Sequence, residues 1–139
     1  MFLTKECDYG IRIIRALVDG TKKTVEDIAL EQNIPKKYAY KIIKKLDRAE
    51  LVRSVRGRGG GYRLSKPLNS FSVADIIATI DTNRYINDCL QDDSECPFKH
   101  DPEKPCTVHQ ELMRIQEMVI SQLSALTMDV ALLSDADIG

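Results

Sequence analysis

The chain has 139 residues, 43% of them hydrophobic, with few aromatics and no Trp, which suits one modest aliphatic core plus an extension rather than two full domains. No apolar run approaches the ~18 residues of a membrane helix, and Lys5, Arg12 and Arg15 interrupt the first apolar stretch, unlike a signal peptide; the expectation is a soluble, cytoplasmic protein. The formal net charge of −1 conceals a polarity: residues 1–70 hold 16 basic and 8 acidic side chains, whereas 71–139 hold 4 and 13, so one end suits a polyanion and the other repels it.

From Thr4, the apolar residues Tyr9, Ile13, Ala16 and Leu17 recur at helical spacing, and Gly20 sits where a C-terminal cap ends the run. Thr24-Val-Glu-Asp27 is a capping box ahead of Ile28 and Ala29, and Asn33-Ile34-Pro35 stops this second helix after little more than two turns. In Lys36 to Glu50, Ala39, Ile42, Ile43 and Leu46 form one apolar stripe, while Lys37, Lys41, Lys44 and Arg48 share another face. Leu51 to Val55 and Tyr62 to Leu64 can pair as strands across the loop Arg56-Gly57-Arg58-Gly59-Gly60-Gly61. Helix, turn, helix and hairpin predict a winged helix-turn-helix over 1–70, a mainly α fold with a small β-hairpin wing.

After the linker Pro67 to Ser70, Ser72-Val-Ala-Asp75 caps a short helix with Val73, Ile76, Ile77 and Ile80 on its apolar side. A polar, weakly periodic segment fills 81–105, so 71–106 reads as a short helix and a cysteine-containing loop. Thr107-Val-His-Gln110 starts a helix whose Leu112, Ile115, Val119, Leu123, Leu126, Val130 and Leu133 lie on one stripe. That is about 26 residues, or ~39 Å at 1.5 Å each, too long to bury against so small a domain. The segment 107–139 is therefore expected to be a dimerisation helix with a C-terminal tail, and a homodimer is preferred over a monomer.

Residues 34–66 carry eleven Lys and Arg against Asp47 and Glu50. A helix in the major groove reads bases with its first turns, which makes Lys36, Lys37, Tyr38, Tyr40 and Lys41 the candidates for reading. Lys44, Lys45 and Arg48 are expected on phosphates, where they add affinity and salt dependence. A lysine face alone is as readily just a solvated surface. The wing decides in favour of double-stranded DNA, because Arg56 and Arg58 sit on a glycine-rich tip that can approach a minor groove closely. A phosphate-cradling P-loop would need a helix and Lys-Ser or Lys-Thr after the glycines, and Tyr62-Arg63-Leu64-Ser65 supplies neither.

Cys89, Cys96 and Cys106 are spaced C-x6-C-x9-C, with His109 at C-x2-H. Three thiols on an acidic loop in a reducing compartment point to a soft metal, either a closed Cys3His zinc site or an iron-sulfur cluster, and the spacing leaves the two open. Metal-free thiol sensing would use the same residues. Cys7 reads as a small core side chain. Nothing in the chain resembles a catalytic constellation, so no enzyme activity is expected. An iron-sulfur scaffold or carrier would hold three cysteines too, but has no use for the cations of 34–66.

Together, Met1-Phe-Leu-Thr4, Asp8-Tyr-Gly10, the helix Ile34 to Leu46, Val55-Arg-Gly57 with Gly59 to Gly61 and Leu64, and the cysteine loop resemble the IscR/NsrR/RirA-type family of bacterial winged-helix regulators. The resemblance covers nearly the whole chain. It implies a homodimer with crossed long helices on palindromic promoter DNA, Lys37, Tyr38, Tyr40 and Lys41 in the base-reading stretch, and Arg56 as the wing arginine. It also implies an iron-sulfur cluster on Cys89, Cys96 and Cys106. Asp8 resembles family members in which an aspartate from the partner subunit completes a [4Fe–4S] cluster; His109 resembles those in which a histidine completes a [2Fe–2S] cluster. The first is preferred. In either case the cluster's response to O2, nitric oxide or iron loss would set the affinity for DNA.

Overall fold

Thr4 opens the first helix with its side chain, which accepts the Cys7 amide at 3.3 Å. In the computed structural model, residues 3–99 and 101–133 are described; Met1, Phe2, His100 and the expected tail at 134–139 lie outside the described residues. The helices are α1 (Lys5–Ala16), α2 (Val25–Gln32), α3 (Lys36–Arg48), α4 (Val73–Ile80), α5 (Thr107–Ala125) and α6 (Met128–Leu132). Strands β1 (Val52–Val55) and β2 (Gly61–Leu64) lie between α3 and α4.

The expected helix-turn-helix forms, although α1 ends at Ala16 with Leu17 as its C-cap, before the expected Gly20, and of the capping box expected at Thr24 only the bond from the Asp27 amide is present. Thr24 accepts the Asp27 amide at 3.1 Å, and Asn33 ends α2 in the left-handed region at φ 53°, a conformation Asn tolerates. Pro35 then stands at the N-cap of α3. Its apolar stripe buries Ala39, Ile42, Ile43 and Leu46 against Ile13, Ile14 and Leu17 of α1 and Ile28 of α2. Each fully buried Ile or Leu contributes roughly 1.5–3 kcal/mol of transfer free energy. Ser72 and Asp75 form the reciprocal capping box of α4, whose Ile76 and Ile77 close the same core.

The long C-terminal helix is present but shorter than its apolar periodicity predicts. α5 has 19 residues, about 28 Å at 1.5 Å each, and stops at Ala125. Leu126 and Thr127 run extended beside the start of α4. There Val73 N–H donates to the Leu126 carbonyl and Met128 N–H to the Phe71 carbonyl, both at 3.0 Å. Met128 is fully buried. These bonds and that burial compete with one more helical turn, and here they prevail.

The expected single stripe is also divided. Val119, Leu123 and Leu126 pack against the core, whereas Ile115, Val130 and Leu133 of the same stripe are exposed, as are Val108 and Met118 outside it.

Candidate nucleic-acid interface and cysteine loop

The outward face of α3 is not uniformly available. Lys36 and Lys37 are exposed at the helix start, and the Lys37 ammonium lies 5.2 Å from the centre of the Tyr38 ring. Tyr38 turns towards α1: half-buried, it packs with its ring centre 5.9 Å from that of Tyr9. The Tyr40 hydroxyl donates to the Glu26 carboxylate of α2. That bond holds Glu26 below the usual carboxylate range and pushes the Tyr40 phenol up. Lys41 donates to Glu6 Oε1 at 2.9 Å.

Lys45, expected on phosphate, has a structural task instead. Its Nζ donates to the Ile80 carbonyl at 2.8 Å, where α4 ends, and lies 3.9 Å from Glu6 Oε2. A cation beside the last carbonyls of a helix is favourably placed, and one so held is not free to meet DNA. Lys36, Lys37, Lys44 and Arg48 form no ion pair among the described residues.

Strands β1 and β2 pair antiparallel, from Val52 opposite Leu64 to Val55 opposite Gly61. They carry Arg56 and Arg58, both exposed, on a tip where Gly57 and Gly59 have φ of +108° and +69°, conformations that favour glycine. Gly61 has a different reason: a Cβ there would stand 2.4 Å from the Lys23 carbonyl oxygen. This close approach lets Lys23 and Tyr62 exchange backbone hydrogen bonds of 2.9 and 2.8 Å, strapping the wing to the α1–α2 connection. The Lys23 ammonium reaches back to the Ala16 carbonyl at 2.7 Å and Glu31 at 2.9 Å, and Glu31 raises its pKa. Lys23 thus fixes the wing relative to α1 and α2, a role that neither charge pattern nor motif announces.

In the cysteine segment, Cys89 lies in a 3-10 turn at Asp88–Leu90 anchored by the buried Leu90. Cys96 lies in an irregular stretch, and Cys106 is the N-cap of α5, its Sγ accepting the His109 amide at 3.4 Å. All three are half-buried free thiols. Gln116, buried on α5, holds the start of the segment: its Oε1 accepts from Ile86 N–H at 2.8 Å and its Nε2 donates to the Arg84 carbonyl at 2.9 Å. His109 Nδ1 is shielded from solvent and has no hydrogen-bond partner among the described residues.

Three thiols and an orphaned imidazole nitrogen match the donor types of a soft metal or iron-sulfur cluster. Among the described residues, however, no three His, Cys, Asp or Glu side chains converge as a metal site. Asp8 stands on α1 and pairs with Arg12 at 2.9 Å. Cys7, expected in the core, is fully buried and its Sγ accepts the Thr4 hydroxyl at 3.3 Å.

The Rrf2 family model, described as an iron-dependent transcriptional regulator, matches residues 3–132. An HTH-type transcriptional regulator from Haemophilus influenzae is 36% identical over 93 residues, covering 65% of this chain, and the match spans 62% of that relative's length. Among solved structures, CymR (YrzC), the global cysteine regulator of B. subtilis, superposes with a TM-score of 0.75 at 22% identity, covering 95% of this chain and 96% of that one. T. potens IscR superposes with a TM-score of 0.74 at 21% identity, covering 100% of this chain and 93% of that one. Those two likenesses are likenesses of fold.

Proposed function

The chain belongs to the Rrf2 family of transcriptional regulators, and from that premise we propose that it binds palindromic promoter DNA as a homodimer whose affinity is set by the cysteine loop. One observation carries the DNA reading: Lys37, Lys44 and Arg48 share a helix face, with Lys36 at the helix start, all four without ion pairs among the described residues, beside a wing tipped by Arg56 and Arg58. α3 would enter the major groove by its first turns, with Lys37, Tyr40 and Lys41 nearest the bases, Lys44 and Arg48 on phosphates, and Arg56 and Arg58 in the adjacent minor groove. Tyr38, by its packing on Tyr9, would orient Lys37 rather than touch a base itself. Two copies joined along α5 would present two such heads to two half-sites.

For the sensing part, the reading is an iron-sulfur cluster on Cys89, Cys96 and Cys106, preferentially [4Fe–4S] completed by Asp8 of the partner subunit. A [2Fe–2S] cluster with His109 as fourth donor is the next choice. Such a cluster supplies a centre that O2, nitric oxide or iron loss alters. The protein's own part is transmission: the loop follows directly on Ile80, the last residue of α4, and the Ile80 carbonyl holds Lys45 of α3, so a shift of the loop would be felt at the DNA-reading helix. Asp8 would have to release Arg12 to serve as a donor.

A cluster-free or zinc-containing thiol-responsive regulator is the second reading. It is favoured by the three half-buried free thiols that do not converge, and by likeness to a protein named as a cysteine regulator. Anaerobic purification with iron, sulfide and zinc quantified beside a visible spectrum separates them. Iron and sulfide in near-equal amounts support the cluster. One zinc per chain without sulfide, or no metal, replaces it with the second reading. For the DNA part, the test is retention of promoter fragments as salt is varied; no binding by any form of the protein at low salt would end it.

A further inference from the structure

We propose that the outer face of the wing's stem, Arg53 with Arg63, is a second phosphate-binding site, gripping the DNA backbone beside the groove entered by the tip. This rests on the DNA-binding reading above and goes beyond its contacts.

Arg53 and Arg63 are directly opposite in the β1–β2 register. Tyr62 spends its backbone N–H and carbonyl on Lys23, so the ladder alternation makes Arg53 and Arg63 a hydrogen-bonded pair, with Cα atoms about 5.5 Å apart and side chains on the same face. The other face carries Val52, buried in the core, so the arginines point away from it. Lys22, exposed and next in the chain to the bridging Lys23, extends the row.

Like charges directly opposite in a sheet are destabilising. Among the described residues neither arginine has an acidic partner, and Arg63 Nε is shielded with no acceptor. A like-charge pair that costs the free protein is what an anion between the two side chains would offset, and arginine's fork matches phosphate.

Position selects which phosphate. Arg53 stands three residues before Arg56, roughly 10 Å along the strand at ~3.3 Å per residue. A minor groove about 6 Å wide is bordered by sugar-phosphate backbone on both lips. With Arg56 or Arg58 in the groove, a site ~10 Å back along the hairpin falls at its border. An acidic protein surface would satisfy the same charges, but among the described residues no ion pair brings a carboxylate to Arg53, Arg56, Arg58 or Arg63.

The test uses the full-length protein, with R53Q/R63Q and R53K/R63K compared with wild type on a promoter fragment and on scrambled duplex across a salt series. The Gln variant should weaken both DNAs by the same factor and lower the log-log salt slope by ~0.9 for each phosphate it no longer neutralises, up to ~1.8, while the Lys variant keeps most of the slope. The melting temperature of the Gln variant should hold or rise, because a like-charge pair is gone. Should the Gln double variant fail to fold, R53Q alone, at the exposed partner, gives the same reading for a single phosphate. Wild type that binds while the Gln variant keeps the full slope overturns this site and leaves the DNA reading intact. So does a melting temperature that falls while the slope stays. Wild type that binds no duplex overturns the underlying reading itself.

Discussion

Glu6 accepts a hydrogen bond from Lys41 at 2.9 Å across 35 residues of sequence, tying the first turn of α1 to the helix proposed to face DNA. The Lys41 side chain is 55% exposed, so this pair contributes at most about 1 kcal/mol to the fold. Its larger expected effect is on binding, since Glu6 occupies a cation of the proposed base-reading stretch and adds negative charge beside it. In E6Q, affinity for duplex DNA at low salt should rise and the salt slope steepen by up to ~0.9, with only a degree or two of change in melting temperature. Anisotropy titrations at several salt concentrations check this. Unchanged affinity and slope would mean that Lys41 takes no part in binding.

The Tyr40 to Glu26 hydrogen bond makes stability depend on pH at the acid end. Glu26 ionises at a lower pH in the folded protein than its ordinary value of 4.5. A depressed carboxylate stabilises the fold above its unfolded pKa, and that contribution is lost as pH falls through the folded value. In Y40F, melting temperatures should therefore drop less steeply between about pH 5 and pH 3 than in wild type. Identical profiles would show that the bond is not maintained in solution.

Gly61 should not tolerate even one added methyl. A Cβ would meet the Lys23 carbonyl carbon at 2.6 Å as well as its oxygen, and both are backbone atoms that cannot swing aside. Either the two hydrogen bonds to Tyr62 lengthen or the hairpin shifts. G61A should cost roughly 1–3 kcal/mol, read from the urea midpoint. DNA affinity should fall as well, because the strap that fixes the wing is loosened.

What could be read from the sequence, and what could not, divides by the range of the interaction. The α3 stripe, the Thr24 and Ser72 caps and the glycine tip are local: each is set by residues within a few positions of one another, and each appears, with the full capping box at Ser72 and its cap bond alone at Thr24. Lys45 looked like one more cation on a basic helix. Its partner is a carbonyl 35 residues away, and no charge pattern reveals a carbonyl left free by a helix end. Lys23 and Gln116 were invisible for the same reason, as both hold backbone groups from other elements. The break in the last helix also comes from afar, because Phe71 and Val73 supply the competing hydrogen bonds while the local periodicity continues through Leu126 and Val130. For the cysteines, the residue types suggested donors, but among the described residues of one chain no three such donors converge.

The divided stripe of α5 sharpens the expectation of a dimer. Val119 and Leu123 are already used within the chain, so what α5 leaves for a partner helix is Val108, Ile115 and Met118, which are 64%, 40% and 56% exposed. Three large apolar side chains at helical spacing in water form the kind of patch that associates. Replacing two of them with carboxylates places charge in any such seam but removes nothing from the core. I115D/M118D should therefore keep its circular dichroism spectrum and lose the dimer in light scattering. Since two linked heads bind two half-sites with an effective concentration that one head lacks, affinity for a palindromic fragment should fall by at least roughly a hundredfold, while weak binding to a single half-site persists. A variant that remains dimeric would place the interface elsewhere on the molecule, and one that is monomeric yet binds the palindrome as tightly as wild type would remove the need for two copies.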